Sequence, residues 1–245
     1  MKSRLPTLID HPSGHPLYAQ SGSAVELAGS PAVHTYARPM SGDDLPQQWL
    51  GATLGPRQLT LCPELRLWLL SDDVDLHQRV AEVFAIDTAP YWAFCWGSGQ
   101  ALARYILDHP ELVRGRVVAD FGAGCGVQAI AALKAGAAAA VAVDIDAHAL
   151  EACRRNAVLN QVALQVSRDM PADYDVLLAS DVLYEVGNRQ LIEEQLARGR
   201  TVLVSDPLRF GNPRLSLEPC HAYEVRTMPD VDYPVHSAVI YHFSP

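Results

Sequence analysis

The sequence predicts an α/β protein: a seven-stranded, mostly parallel sheet with helices on both faces, preceded by an irregular N-terminal extension. Three observations predict it. Strand-like and helix-like segments alternate from Val117 to Ser205. A glycine-rich turn, Gly122-Ala-Gly124-Cys-Gly126, joins the first of these strands directly to a helix. The first 55 residues are rich in Pro, Gly, Ser and His and hold no sustained period. Alternation of this kind gives parallel strands, because a right-handed crossover carries a helix over the sheet before the next strand pairs.

The boundary between extension and domain is placed at 55/56. Residues 1–55 are expected to be partly disordered or wrapped on the domain, and residues 56–245 to form the domain. Leu59-Thr60-Leu61 and Leu65 to Leu69 alternate in polarity, which predicts strands. Asp75 to Phe84 reads as a helix with Leu76, Val80, Val83 and Phe84 on one face. After Pro90 comes an aromatic cluster, Tyr91-Trp92-Ala93-Phe94-Cys95-Trp96, then Gly97-Ser98-Gly99 and a helix from Gln100 to Leu107.

Val117 to Asp120 reads as a buried strand, and Val127 to Ala135 as a helix stopped by Gly136. Ala140 to Asp144, Leu164 to Val166, Asp175 to Ala179 and Thr201 to Ser205 are the next strands; Ala147 to Leu159 and Asn188 to Arg198 are the helices between them. Two tail strands are expected near Tyr223 to Thr227 and Ala238 to Phe243, which brings the sheet to seven. Asp146 and His148 are expected to cap the helix that follows them. Asn156 and Asn160, four apart, face the sheet edge or cap that helix's end.

Composition narrows the partners. The 245-residue chain is 49% hydrophobic and 19% charged, ordinary values for a globular core. A formal charge of -9 argues against nucleic acid, whose phosphates need a basic face, and suits a basic protein segment or a neutral small molecule. Five cysteines without C-x-x-C spacing indicate neither a disulfide framework nor a zinc site, so no metal is expected and the compartment is read as reducing and cytoplasmic. No run of 18 apolar residues is present, so no membrane span is expected, and the N-terminus lacks the apolar stretch of a secretory signal.

The segment Val117-Val-Ala-Asp120-Phe-Gly122-Ala-Gly124-Cys-Gly126 carries the chemistry. Glycines at 122, 124 and 126 let the backbone turn sharply and approach a ligand closely, and the helix that follows offers free N–H groups. Asp144 ends the next strand, eighteen residues beyond Gly126, where a carboxylate can accept both hydroxyls of a ribose. The spacing is G-x-G-x-G, with Val127 where a dinucleotide fingerprint has its third glycine in G-x-G-x-x-G. Asp120 precedes the glycines. A diphosphate is repelled by such a carboxylate, and the cationic methionine part of S-adenosylmethionine is not. The electrostatics therefore favour S-adenosylmethionine over a nicotinamide or flavin dinucleotide, with Asp120, Gly122, Gly124, Gly126 and Asp144 as its binding residues.

Several blocks along the chain match a known family: Thr60-Leu-Cys-Pro-Glu-Leu-Arg-Leu67, Pro90-Tyr-Trp-Ala-Phe94, Trp96-Gly-Ser-Gly-Gln-Ala-Leu102, Val113-Arg-Gly115, Asp120 to Gly126, Asp144-Ile-Asp146, Tyr174-Asp-Val176, Asp181-Val-Leu-Tyr184 and Ser205-Asp-Pro207. Over roughly 180 residues the chain resembles the seven-strand (class I) protein-lysine methyltransferases, and within them the branch acting on the electron transfer flavoprotein β subunit. The glycine loop marks only the superfamily, whereas the Tyr-Trp-Ala to Gly-Gln-Ala-Leu blocks are more specific. Cys95, Gly97 and a short Val166–Tyr174 segment depart from the family pattern and leave the protein substrate open.

The resemblance implies a Rossmann-like class I fold over residues 56–245, S-adenosylmethionine as methyl donor, and a protein partner presenting a lysine, such as the electron transfer flavoprotein β subunit. It gives Asp181 and Tyr184 the active site: Asp181 to position the substrate amine, Tyr184 to wall the methyl channel. Because a carboxylate raises the pKa of a nearby ammonium, Asp181 is a positioner and not a base. The competing readings are a loop cap for Asp181 and a core aromatic for Tyr184. Trp96 is implied beside the cofactor, where an aromatic face attracts a sulfonium, against the reading of a buried core tryptophan. Asp169, after the short third strand of the sheet, is implied at the adenine amino group, and a surface loop acid is its alternative. Glu185, Arg209 and Arg214 are read as solvated. Other functions that remain open are a small-molecule N-methyltransferase, a non-catalytic S-adenosylmethionine-binding module and a dinucleotide-dependent oxidoreductase.

Overall fold

The computed structural model describes residues 54–71, 90–208, 215–231 and 236–245. The helix expected over Asp75 to Phe84, the two arginines Arg209 and Arg214, and residues 1–53 of the expected extension lie outside the described residues.

Seven strands form one sheet: β3 (Val117–Phe121), β4 (Ala139–Val143), β5 (Gln165–Ser167), β6 (Val176–Ser180), β7 (Thr201–Asp206), β8 (Pro219–Val225) and β9 (His236–Phe243). Their order is β5-β4-β3-β6-β7-β9-β8. The first five run parallel, and β9 is antiparallel to both β7 and β8. The chain winds outward from β3 through β4 to β5, then returns to the other side of β3 as β6. The crevice beyond the carboxyl ends of β3 and β6 is therefore the topological switch point, where open α/β sheets bind ligands.

Among the described residues four α-helices flank the sheet: α1 (Gly97–Asp108), α2 (Val127–Lys134), α3 (Ala147–Leu159) and α4 (Val186–Ala197). Successive strand residues point to opposite faces, and the core divides accordingly. Val118, Ala142, Val176, Leu178, Leu203 and Ile240 pack with α1, α2 and α3. Ala119, Leu177, Ala179, Val202, Val204 and Tyr241 pack with Ile192 of α4. Both faces being covered explains why the central strands are apolar without alternation: all five residues of β6 are buried.

A separate hairpin, β1 (Leu54–Gln58) and β2 (Arg66–Leu70), lies outside the sheet. The strand expected at Leu59–Leu61 is a turn. Leu59 N–H donates to the Leu65 carbonyl at 3.2 Å and Leu65 N–H to the Cys62 carbonyl at 2.9 Å, while Leu59, Cys62 and Leu65 are all buried. Burial at both ends of a tight loop produces the same alternation as a half-buried strand. The hairpin is fastened to α1 by Arg104, whose guanidinium donates to both Glu64 oxygens at 2.9 and 3.0 Å and to Asp108 at 2.8 Å. It is fastened to α3 by Asn156 and Asn160, whose Oδ1 atoms accept from the Trp68 and Arg66 amides at 2.7 and 3.1 Å. The two asparagines thus act as a neighbouring strand would toward the β2 backbone. α1 itself starts at Gly97, three residues before the expected Gln100, with Trp96 as its N-cap residue.

Candidate active site

The cofactor loop leaves β3 and is clasped by the end of β4. Gly122 and Ala123 N–H both donate to the Val143 carbonyl, at 2.9 and 3.1 Å. Gly124 N–H donates to Asp144 Oδ2 and Asp146 N–H to Asp144 Oδ1, each at 2.9 Å. Each carboxylate oxygen keeps a further lone pair, so Asp144 is both anchored and able to accept from a ligand. Burial pushes the Asp144 carboxyl up from its ordinary value, and the two amides oppose that shift. Asp146 caps α3 by accepting from His148 N–H at 2.8 Å.

The glycines divide by what surrounds them. Gly122 has φ +67°, and a Cβ there would lie 2.7 Å from Val182 Cγ1, so the loop packs directly on the segment after β6. Gly124 has φ +52° and open space where a Cβ would be. That open side is a cradle a ligand can enter. Gly126 begins α2 and approaches Cys153 of α3, whose thiol donates to the Gly124 carbonyl at 3.4 Å.

Asp120, expected against the cofactor, has no exposed surface, and its Oδ2 accepts from Ala129 N–H of α2 at 3.0 Å. With the Gln128 amide oriented to satisfy both neighbours, its nitrogen donates to the Asp120 carboxylate at 3.2 Å and its oxygen accepts from the Ser180 hydroxyl. Desolvation raises the Asp120 carboxyl to about 7, the Ala129 amide lowers it, and the charge of Asp144 adds to the rise. Asp120 therefore sits beneath the loop, joining β3 to α2 and, through Gln128, to the end of β6. Only a helix closing over the strand end puts the acid there, which the linear spacing does not show.

Asp181 follows β6 with φ +55°, a left-handed backbone that Asp tolerates better than most residues and that recurs at functional sites. Its N–H donates to the Ser205 carbonyl of β7 at 3.1 Å. Behind it, Asn188 and Arg189 of α4 donate to the carbonyls of Val182 and Leu183 at 3.0 and 2.8 Å and fix the turn. Tyr184 is 57% exposed, which excludes the core-aromatic reading. Its phenol is pushed up first by partial burial, then by Asp181 and Glu185, the Tyr91 phenol and Asp144. Asp181 and Tyr184 follow β6 at the carboxyl edge of the sheet.

Trp96 is half-buried, not a core tryptophan; its indole N–H donates to the Tyr91 carbonyl at 3.1 Å. Asp169 is exposed just beyond β5, its backbone held by the Ser167 hydroxyl, which its N–H reaches at 3.1 Å. Ser167 O in turn accepts from Asp144 N–H at 3.2 Å, so Asp169 shares the carboxyl edge with Asp144.

Two contributors were not legible in the sequence. Asn156 donates from Nδ2 to the Cys125 carbonyl at 2.8 Å while accepting from Trp68 N–H, so one buried side chain braces the cofactor loop against the hairpin. The Gln128–Ser180 pair braces the same loop from beneath. The available signal was the burial of polar residues on apolar helix faces, where every amide needs partners. Among the described residues no group of three or more His, Cys, Asp or Glu is arranged to hold a metal ion, and no helix is long and apolar enough to cross a membrane.

Comparison with known proteins agrees with this geometry. The family model for ribosomal protein L11 methyltransferase (PrmA) matches residues 94–197, which run from the aromatic cluster to the end of α4. The electron transfer flavoprotein beta subunit lysine methyltransferase of Xenopus laevis is 34% identical over 202 residues, 76% of this chain and 81% of that protein. The Homo sapiens protein of the same name is 36% identical over 168 residues, 64% of this chain and 63% of that one, so the chain spans under two thirds of the human relative's length. A ribosomal protein L11 methyltransferase from Edwardsiella ictaluri is 37% identical over 128 residues, 51% of this chain and 40% of that protein. S-adenosylmethionine is the cofactor. The open side at Gly124 and the remaining acceptor capacity of Asp144 fit its aminoacyl and ribose parts. With its seven-stranded sheet, its switch-point loop and a relative matched over four fifths of its length, the chain belongs to the electron transfer flavoprotein beta subunit lysine methyltransferase family.

Proposed function

We propose that this methyltransferase acts on the side-chain amine of a lysine in a partner protein, and that the partner is the electron transfer flavoprotein β subunit. One observation carries the reading: Asp144 beneath Gly124 on one side of the switch point, and Asp181 with exposed Tyr184 on the other. The first pair holds a nucleoside; the second presents a carboxylate and an aromatic face to an incoming cation. The names of the relatives support the choice of partner. The charge of -9 supports a basic protein segment over nucleic acid. Five cysteines, all free and four of them buried, support a reducing compartment, which we take to be the cytoplasm.

When bound, S-adenosylmethionine supplies an electrophilic methyl group on a sulfonium. The chain contributes orientation. Asp144 accepts the ribose hydroxyls and Gly124 lets the ligand lie against the backbone; Trp96 and Asp169 border the same space. Asp181 accepts a hydrogen bond from the lysine amine and aims its lone pair at the methyl. With the donor held there, these residues would present the amine nitrogen to the methyl group that the donor would supply. Holding the reactants in line is the main source of acceleration for such a displacement. The nitrogen must arrive neutral and lose a proton to solvent, because Asp181 favours the charged amine.

The test is incubation of the chain with purified electron transfer flavoprotein β subunit and S-adenosylmethionine labelled in the methyl group, followed by peptide mapping. Label on a lysine of the subunit is the expected result. Label confined to small amines, with none on the protein, would replace this reading with a small-molecule N-methyltransferase.

A further inference from the structure

Gln128 is an amide in an apolar setting. It lies in the first turn of α2, where Val127, Ala129, Ile130, Ala131 and Ala132 are buried with it. It is 2% exposed, and its partners Asp120 and Ser180 are 0% and 9% exposed. A buried amide without partners costs more than an apolar side chain of similar size. Here both ends are used: the nitrogen donates to the Asp120 carboxylate at 3.2 Å, and the oxygen accepts from the Ser180 hydroxyl. Helix α1 covers the pair at Gly99, where a Cβ would touch Ser180 Oγ at 3.6 Å and the Gln128 amide at 3.9 Å.

Ser180 is the residue before Asp181. Asp181 turns with φ +55°, a left-handed backbone that a residue other than glycine keeps only where its surroundings hold it. Contacts hold it from both sides. Before it, Ser180 bonds to Gln128 and stands in register with Ser205 of β7. At the turn itself, the Asp181 N–H donates to the Ser205 carbonyl at 3.1 Å. After it, Val182 lies against Gly122, where a Cβ would come within 2.7 Å of Val182 Cγ1. The segment Ser180–Val182 is thus joined on either side of Asp181 to the stretch of chain that carries the cofactor loop, once through Gln128 and once through Gly122. An apolar residue at 128 would fill the same space but would fix no direction, whereas a buried and fully paired amide holds one arrangement.

We propose that Gln128 is a positioning residue for methyl transfer: its oxygen fixes the strand end from which Asp181 turns, and its nitrogen ties that strand end to Asp120 beneath the cofactor loop. The Asp181 carboxylate is thereby held in a set relation to the loop that binds the donor. The proposal rests on the role given to Asp181 in the lysine reading above. Transfer in line is sensitive to small displacements of the reacting groups, so a residue that touches neither reactant can change the rate. Gln128 acts on the rate and not on recognition of the protein substrate.

The experiment compares the full-length wild type with Gln128→Met, Ser180→Ala and the double variant. It reads melting temperature, and kcat and KM on purified electron transfer flavoprotein β subunit at saturating S-adenosylmethionine, so that any weakening of the loop's hold on the cofactor drops out. Methionine keeps the length of glutamine and removes both bonds. We expect each single variant to lose kcat by about 2- to 12-fold, the range for one neutral hydrogen bond, with KM for the protein unchanged. The double variant should fall no further than Gln128→Met, because residues acting through one contact are not additive. If Gln128→Met does not fold, Ser180→Ala, which removes a single oxygen atom, carries the same expectation. Unchanged kcat in folded variants, losses that multiply in the double variant, or a change confined to KM overturns the assignment while leaving the lysine reading intact. Absence of lysine methylation by the wild type overturns that reading and this inference together.

Discussion

The Asn156 side chain and the Cys125 carbonyl meet at 2.8 Å, and through that contact the cofactor loop leans on a hairpin outside the sheet. The other end of the same amide accepts from Trp68 N–H at 2.7 Å. Asn156 has no exposed surface, so neither partner is replaced by solvent when the amide is removed. We expect Asn156→Ala to lower stability by about 1–3 kcal/mol, the range for stranding buried polar partners. Cofactor affinity should fall as well, because Cys125 lies between Gly124 and Gly126. Urea unfolding and calorimetric titration measure the two effects; a loss of stability at full cofactor affinity would show that the brace does not reach the loop.

Gly122 and Gly124 should respond differently to the same added methyl group. At Gly122 a Cβ would meet Val182 Cγ1 at 2.7 Å, beside Asp181. Gly122→Ala is therefore expected to destabilise the fold by about 1–3 kcal/mol, as overpacking does. At Gly124 nothing stands within 4 Å, so the steric penalty falls on the bound ligand, on top of the strain of a left-handed backbone in alanine. Gly124→Ala should lose more cofactor affinity than stability. The comparison of melting temperature with dissociation constant across the pair decides the matter, and equal behaviour of the two variants would refute it.

Asp144 and Asp181 should separate binding from turnover. Asp144→Ala removes the acceptor at the end of β4 and is expected to weaken S-adenosylmethionine by about 1–3 kcal/mol. Asp181→Ala is expected to keep cofactor affinity and lose kcat by about ten- to a hundredfold, the effect of losing one charge-assisted hydrogen bond. Single-turnover kinetics with saturating cofactor distinguishes them, and full activity in Asp181→Ala removes that residue from the site.

Asp120 gives a pH signature. Its carboxyl is raised from 3.8 to about 7 in the folded protein, so the native state binds this proton more tightly than the unfolded chain. The stability contributed by that proton is full below the unfolded value and is lost as pH rises through about 7. Asp120→Asn carries no such proton. Its melting temperature relative to wild type should therefore climb between about pH 4.5 and 7.5 and level off above. Parallel melting curves across that window would mean that the buried carboxyl titrates at an ordinary value.

Much of the fold was legible because it depends on local rules. The apolar runs at Val117 and Val176, the helix periods between them and the glycine stop at Gly136 each follow from a few adjacent residues, and the strands and helices from Val117 to Asp206 fall within a few residues of expectation. What escaped depends on contacts between distant segments. Leu59 to Leu61 reads as a strand until the bond from Leu59 to Leu65 shows a turn. The bond from Asp120 to the Ala129 amide depends on α2 closing over the strand end, and the division of the Tyr91 to Trp96 cluster into one exposed and several buried residues depends on a 3-10 turn. The pairing of Asn156 with Trp68 spans 88 positions, beyond the reach of any local pattern.

The place of β9 in the sheet has a consequence for assembly. β8 precedes β9 in the chain, yet β9 lies between β8 and β7. During synthesis, a chain that has emerged as far as β8 has no strand to pair it with, and the exposed flank of β7 waits as well. Both edges close only when β9 enters between them, a near neighbour of β8 in the chain and a more distant partner of β7. The pairing with β7 is the less local of the two and the slower to find. Until then the growing chain carries two unsatisfied strand edges, the kind of surface on which nascent chains associate with one another.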